Sequence, residues 1–438
     1  MNARKWLGTI MVFVLVLMVA CSKGNESGNG NVPEGTGTAN NKKDARITVT
    51  YMASGTYDKA AEEVAEGLKA QGIQATVAAF PWATLREKNT TDLISKTGNY
   101  DVMSGGYYLA DVYDHFASLD EFIGKDQYGK TLIDGLMDKS EHFQGKQIGI
   151  PYGADAYGIM YRTDLFEEAG LSLPQTWDQF QAAVQTLQEK YGQDGTSPYV
   201  FAAGATEQLA NLFFTRYDSY FVNKDGKYAL DAEKALHAIN EGTRLLKAAP
   251  DNVMSLSIDE ANALFIEGKA AIYEGWPSFV RVAADDPAKS KITGKWAVLP
   301  YPDQGLIPLS LWQMFMPKET KQPEAAWEWM KAFASEKNDK AFFEKYGISP
   351  IYTSTYEDQD IVSRYGHYFN GVKENLKRAR TSPLIGEAED FLAATLGDIF
   401  SGKLTPEKGI QTINDKWLTI AVPETLMESG KRSGLVQE

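Results

Sequence analysis

The chain has 438 residues, 43% of them hydrophobic and 23% charged. At ~100–200 residues per domain that leaves room for two to four domains, and it excludes a wholly disordered or multi-span membrane protein. The formal net charge of −14 repels nucleic acid and anionic lipid heads, so neither is expected as a partner, and a single cysteine, Cys21, rules out a disulfide scaffold or a cysteine-built zinc site.

Met1–Lys5 carries two positive charges, and Trp6–Ala20 is an almost unbroken apolar run of 15 residues. A spanning helix needs about 20, so the run suits a secretory signal over residues 1–20. It ends Met18-Val19-Ala20-Cys21, which resembles a bacterial lipobox with Met where Leu is usual. The resemblance implies that Cys21 is lipidated and becomes the mature N-terminus; a buried free cysteine near a cleavage site is the alternative. Residues 22–44 hold five glycines and five asparagines, with only Val32 and Ala39 as apolar side chains. That is too little burial to offset ordering entropy, and as random coil these residues span roughly 25 Å. A lipid anchor with such a tether holds a folded body just off a membrane.

Ile47–Met52 reads as a strand, and Ala53-Ser54-Gly55 as a turn. A helix follows with Ala60, Ala61, Val64 and Leu68 on one face and Gly72 as its stop. Residues 73–79 and 100–103 read as further strands separated by a helix. Strand–helix alternation implies a parallel sheet whose ligands bind beyond the carboxyl ends of the strands, at loops 53–55 and 104–108. Capping boxes are expected at Asp164/Glu167, Thr176/Gln179 and Ser257/Glu260, and an N-cap at Thr405 before Pro406.

Four scattered histidines show no i, i+4 pairing, and neither a G-x-S-x-G elbow nor a P-loop lysine motif occurs. No metal or cofactor is therefore expected. Adjacent acids such as Glu62-Glu63 read as solvated helix faces.

Aromatic residues make up 12% of the chain, and Trp82, Tyr107, Tyr108, Tyr152 and Trp276 fall at strand ends or turns beside Gly or Pro. Flat rings there can stack on the apolar faces of a sugar while carboxylates and amides bond its hydroxyls. Gly145-Lys146-Gln147-Ile148-Gly149-Ile150-Pro151-Tyr152 leads into residues 161–171 (YRTDLFEEAGL) and Pro174-Gln175-Thr176-Trp177-Asp178. Residues 264–272 (LFIEGKAAI) with Gly275-Trp276, then Leu299-Pro300-Tyr301-Pro302, Gly347-Ile348-Ser349-Pro350 and residues 401–407 follow in order. Over 45–425 this set resembles the family 1, sugar-binding type of extracellular solute-binding protein of ATP-binding-cassette (ABC) importers.

That resemblance implies an α/β, two-lobed periplasmic-binding-protein-like fold (type II), each lobe a mixed sheet flanked by helices, with the ligand between lobes. Lobe one would be 45–153 plus 276–333 and lobe two 156–272 plus 335–438, with crossings near 153–155, 273–275 and Ala334. Carried onto this chain, Trp276 stacks on the ligand or fills the hinge core, and Asp155 bonds a hydroxyl or caps the hinge. Tyr107 and Tyr108 supply at least one ring to the cleft. Trp312 replaces part of a usual glycine pair. Ser54, Trp82 and Arg380 complete the ligand set, against turn, sheet-cap and surface roles. Tyr217–Tyr220 also lacks the family's glycine pair.

The implied protein is a lipid-anchored extracytoplasmic receptor, expected as a monomer. It would pass a sugar, oligosaccharide or polyol to ABC importer permease subunits and perform no chemistry. The competing readings are the same fold binding a peptide, polyamine or iron chelate, and a surface glycosidase or lyase with two converging acids.

Overall fold

The computed structural model describes residues 44–437 apart from 55, 303, 304, 385 and 433; the signal-like run, Cys21 and the tether lie outside the described residues. In chain order the elements that matter begin with β1 (Ala45–Met52), α1 (Tyr57–Leu68), β2 (Ile73–Phe80), α2 (Trp82–Ser95) and β3 (Val102–Gly105). The chain continues through β4 (Gly149–Ala156), β5 (Gly158–Arg162), α3 (Thr163–Ala169), α4 (Trp177–Tyr191), β6 (Val200–Phe201), α5 (Thr206–Phe214), α6 (Ala232–Ala248) and α7 (Ile258–Ile266). It closes with β7 (Ile272–Gly275), α8 (Pro277–Ala284), β8 (Trp296–Leu299), β9 (Leu309–Phe315), α9 (Pro323–Phe333), α10 (Glu336–Tyr346), α11 (Gln359–Arg378), α12 (Gly386–Phe400) and α13 (Pro406–Trp417).

The protein is α/β, and its two larger sheets among the described residues are mixed and flanked by helices. One runs β2-β1-β3-β9-β4 and the other β8-β5-β7-β6. The expected β–α–β start is present: β1 pairs in parallel with β2 from Ala45↔Ile73 to Met52↔Phe80, and with β3 at Val49↔Val102. α1 buries the predicted Ala60, Ala61, Val64 and Leu68 face, and Gly72 turns the chain at φ +79°. β9 then inserts antiparallel between β3 and β4, with a register shift between Trp312 and Gln313.

A single residue, Tyr157, separates β4 in the first sheet from β5 in the second. Every residue of β4 is buried, as expected of a strand covered on both faces. The other two crossings differ from expectation. Residues 296–299, expected in lobe one, form β8 and pair with β5 at Leu299↔Ile159, so the chain stays on the second sheet after Trp276 and returns only between β8 and β9. Near Ala334 no crossing occurs, because α9 and α10 on either side both pack on α1; α11 is the element that lies back over β8. The reason is main-chain hydrogen bonding, which gives a short strand such as β8 its partner without any local mark.

Of the expected capping boxes, Ser257/Glu260 is complete, and Thr176 accepts from the Gln179 N–H. Asp164 instead pairs with Arg162, whose Nε and Nη2 donate to it at 2.7 and 2.6 Å, so α3 starts at Thr163 without a side-chain cap.

The first sheet's core is aromatic: Tyr51 stacks on Phe333 at 4.9 Å, and the Trp329 indole N–H donates to its hydroxyl at 3.1 Å. Glu274 of β7 forms a fully buried ion pair with Arg216, and hydrogen bonds from several further groups offset its desolvation. Arg216 donates to both Glu274 oxygens at 3.0 and 2.7 Å, while the Tyr199 and Tyr301 hydroxyls donate at 2.8 and 2.9 Å. The Arg216 guanidinium also lies 4.2 Å over the Trp177 ring. Through Tyr301 this network ties the segment between β8 and β9 to β7.

Candidate functional site

The carboxyl ends of β1, β2 and β3 present a group of rings. β2 stops because Pro81 follows Phe80, and Trp82 opens α2 with 41% of its surface exposed. β3 runs out through Gly105 and Gly106. A Cβ on Gly106 would lie 3.2 Å from the Leu311 carbonyl oxygen, so this close approach sets Tyr107 and Tyr108 beside β9. Trp312 sits at the β9 register shift and is 8% exposed. The Tyr108 ring meets the Trp82 indole edge-on at 4.5 Å, and Trp312 lies 5.5 Å from Trp82 and 4.8 Å from Tyr57. The Tyr108 hydroxyl is buried and finds no hydrogen-bond partner among the described residues.

Next to these rings the Tyr107 hydroxyl lies 3.2 and 3.3 Å from the two carboxylate oxygens of Glu389 in α12. Burial pushes the Glu389 carboxyl up to about 7; hydrogen bonds from Ser382 and Tyr107 and the nearby Arg86 guanidinium oppose that shift. Burial and the Glu389 carboxylate hold the Tyr107 phenol protonated, well above its ordinary range, so it donates.

Thus Trp82, Tyr107, Tyr108 and Trp312 come together, and the other four expected residues lie elsewhere. Trp276 is half-buried before Pro277 and meets Tyr157 edge-on at 5.0 Å, beside the β4–β5 crossing. Asp155 is 3% exposed, and its carboxylate accepts from Ser278 and, at 3.2 Å, from Ser349. Burial raises it to about 7 against those bonds. It joins β4, α8 and the chain before α11. Ser54 is exposed, and its Oγ accepts from the Thr56 N–H at 3.3 Å, a turn contact. Arg380 is half-buried, with Nη1 donating to the Arg378 carbonyl at 2.7 Å, and its main chain bridges to Pro308.

Sequence reasoning missed Tyr57, Arg86 and Glu389. Tyr57 opens α1 two residues after the expected ligand loop 53–55; Arg86 and Glu389 lie inside helices with no local signal. Among the described residues, no three of His, Cys, Asp or Glu converge as a metal site requires. A groove of about 1290 Å³ between α4, α6 and α7 is lined by Gln181, Gln185, Arg244, Lys247, Glu260 and other residues, none aromatic. The rings at the strand ends therefore have the better chemistry for a polyhydroxylated solute: flat apolar faces beside hydroxyl, carboxyl and guanidinium groups.

Residues 53–340 match the family model described as bacterial extracellular solute-binding protein. A mannitol-binding protein of Pseudomonas aeruginosa is 26% identical over 394 residues, 80% of this chain and 85% of that protein. A probable ABC transporter-binding protein of Deinococcus radiodurans is 24% identical over 61% of this chain and 68% of its own length. Among solved structures, an ABC transporter solute-binding protein of Agrobacterium radiobacter K84 in complex with ribitol superposes with a TM-score of 0.75 at 20% identity, covering 86% of this chain and 99% of that one. Maltose-bound MalE3 of T. maritima gives a TM-score of 0.76 at 19% identity, covering 85% and 99%.

Proposed function

Since the chain belongs to the bacterial extracellular solute-binding proteins, we propose that it captures a polyol or sugar between its two sheets and delivers it to the membrane subunits of an ABC importer. The observation that carries this reading is the group Trp82, Tyr108 and Trp312 at the carboxyl ends of the first sheet's parallel strands. The relatives that bind mannitol and ribitol support the solute class.

Residues 45–156 with 309–346 act as one lobe, and 158–299 with 359–417 as the other. Solute touching both lobes favours the closed arrangement, and binding is read out as closure. Trp276 and Asp155 serve the crossing, Asp155 as the cap that holds α8 to β4. The protein performs no bond chemistry and works as a monomer. Cys21 is lipidated, and residues 22–44 tether the body to the outer face of the cell membrane; no helix among the described residues is long and apolar enough to cross one.

The test is a thermal-shift screen with mannitol, ribitol, maltose, amino acids and polyamines. A solute at 100-fold its Kd adds about 2.7 kcal/mol to stability. A shift with a polyol or sugar that is recovered unchanged supports the reading. A shift with amino acids or polyamines alone, or consumption of the solute, replaces it with a non-carbohydrate receptor or an enzyme.

A further inference from the structure

Two contacts beside the aromatic group join elements that belong to different sheets. α2 packs on β1 and β2, whereas α12 packs on α5, α6 and α13 on the second-sheet side. Between them, Tyr107 donates to Glu389 at 3.2 Å, and the Arg86 guanidinium lies against Gly386 so closely that a side chain there would collide with it. Glu389 is thus held by protein groups, Tyr107 and Ser382, rather than left open toward the rings.

We propose that Arg86, Tyr107 and Glu389 are positioning residues for solute binding: they form a clasp that stabilises the closed arrangement of the two sheets, and they set affinity through closure without touching the solute. The inference rests on the proposed function for its binding readout, and on the contacts alone for its conformational one.

A clasp of this kind makes a prediction that a ligand contact does not. When affinity is scaled by the population of the closed form, breaking the clasp weakens every solute by the same factor. A residue bonded to one hydroxyl weakens solutes unequally, according to whether they carry that hydroxyl.

The clasp also couples closure to protons. Opening returns Glu389 to water and to the ordinary carboxylate range, so the closed form binds the proton more tightly. Closure is therefore favoured as pH falls below about 7 and weakened as pH rises through it. The charged and titratable groups facing Glu389 are Arg86 from α2, Tyr107 from the loop after β3, and Asp390 from its own helix.

The experiment uses the full chain and its Glu389→Ala, Glu389→Gln and Arg86→Ala variants. Kd is measured for mannitol, ribitol, maltose and maltotriose at pH 6 and pH 8, and amide exchange is followed without solute over 105–110 and 384–390. At pH 6, where Glu389 is protonated in the closed form, Glu389→Ala is expected to weaken each bound solute by the same factor, up to about tenfold for a lost hydrogen bond, and at pH 8 by less. It should also speed exchange in both segments. The Glu389 share of the wild-type pH dependence, about tenfold between pH 6 and pH 8, disappears in Glu389→Gln, whose amide still accepts from Tyr107. Losses that differ by tenfold or more between solutes, or exchange unchanged in Glu389→Ala, overturn the clasp. If the wild-type chain binds none of the four, it is the proposed solute class that fails, and amide exchange alone decides the clasp.

Discussion

Trp82 and Trp312 touch each other in the same aromatic group, yet truncating them should have opposite signatures. Trp82 keeps 41% of its surface exposed, so roughly 100 Å² of indole remains for a solute to cover. At about 25 cal/mol per Å² that cover contributes about 2.5 kcal/mol, or roughly 60-fold in Kd. Within the fold, Trp82→Ala loses edge-on ring contacts to Tyr108 and Trp312, about 0.5–1.5 kcal/mol each, together with the covered part of a ring that opens no enclosed cavity. Trp312 is 8% exposed and packs on Tyr57, so Trp312→Ala opens a cavity costing about 3–5 kcal/mol of folding. Calorimetric titration with mannitol or the best solute from the screen gives Kd, and scanning calorimetry gives Tm. The expected result is a Trp82→Ala protein that melts within a few degrees of wild type and binds roughly 60-fold more weakly. If Trp82→Ala lowers Tm strongly while Kd holds, the indole is a structural cap and the stacking argument is wrong.

Other perturbations probe the framework. Arg216→Met leaves Glu274 buried without its cation and should cost about 3–5 kcal/mol in urea unfolding; adding Glu274→Gln should recover part of that, and a double variant no better than the single would show the pair is not coupled. Asp155 and Asp339 are both raised to about 7 by burial, so each holds its proton more tightly folded than unfolded. Stability contributed by these groups is full below the ordinary carboxylate range and is lost as pH rises toward and through 7. Asp155→Asn should therefore flatten the fall in Tm between pH 5 and pH 8, and an unchanged slope would place the titration elsewhere. Ser257→Ala removes the hydroxyl half of the capping box at α7, leaving the main-chain N–H of residue 257 to donate to Glu260, and should cost about 1 kcal/mol without altering Kd, measured by urea unfolding and titration.

Much of the first sheet was legible locally. The alternation in 47–52, the one-sided Ala60–Leu68 face and Gly72 define β1, α1 and the turn to β2, because each is set by neighbours in sequence. The rings Trp82, Tyr107 and Tyr108 were findable for the same reason: they follow strands that end at proline or glycine. β8 was not, because four residues that pair only with distant β5 carry no local signature of which sheet they join. Asp155 pairs with Ser310 in the first sheet two residues before Tyr157, and its burial depends on Ser278 and Ser349, more than a hundred residues away. Glu389 lies in the first turn of α12, and only packing brings it to Tyr107.

The most direct test is titration of the protein truncated before Asp44 with mannitol, ribitol and maltose, with small-angle scattering before and after saturation and recovery of the solute. A carbohydrate-binding cleft predicts saturable binding of at least one of the three, contraction on binding, and solute returned unchanged. No binding to any of them, or binding that survives simultaneous loss of Trp82 and Tyr108, would contradict it.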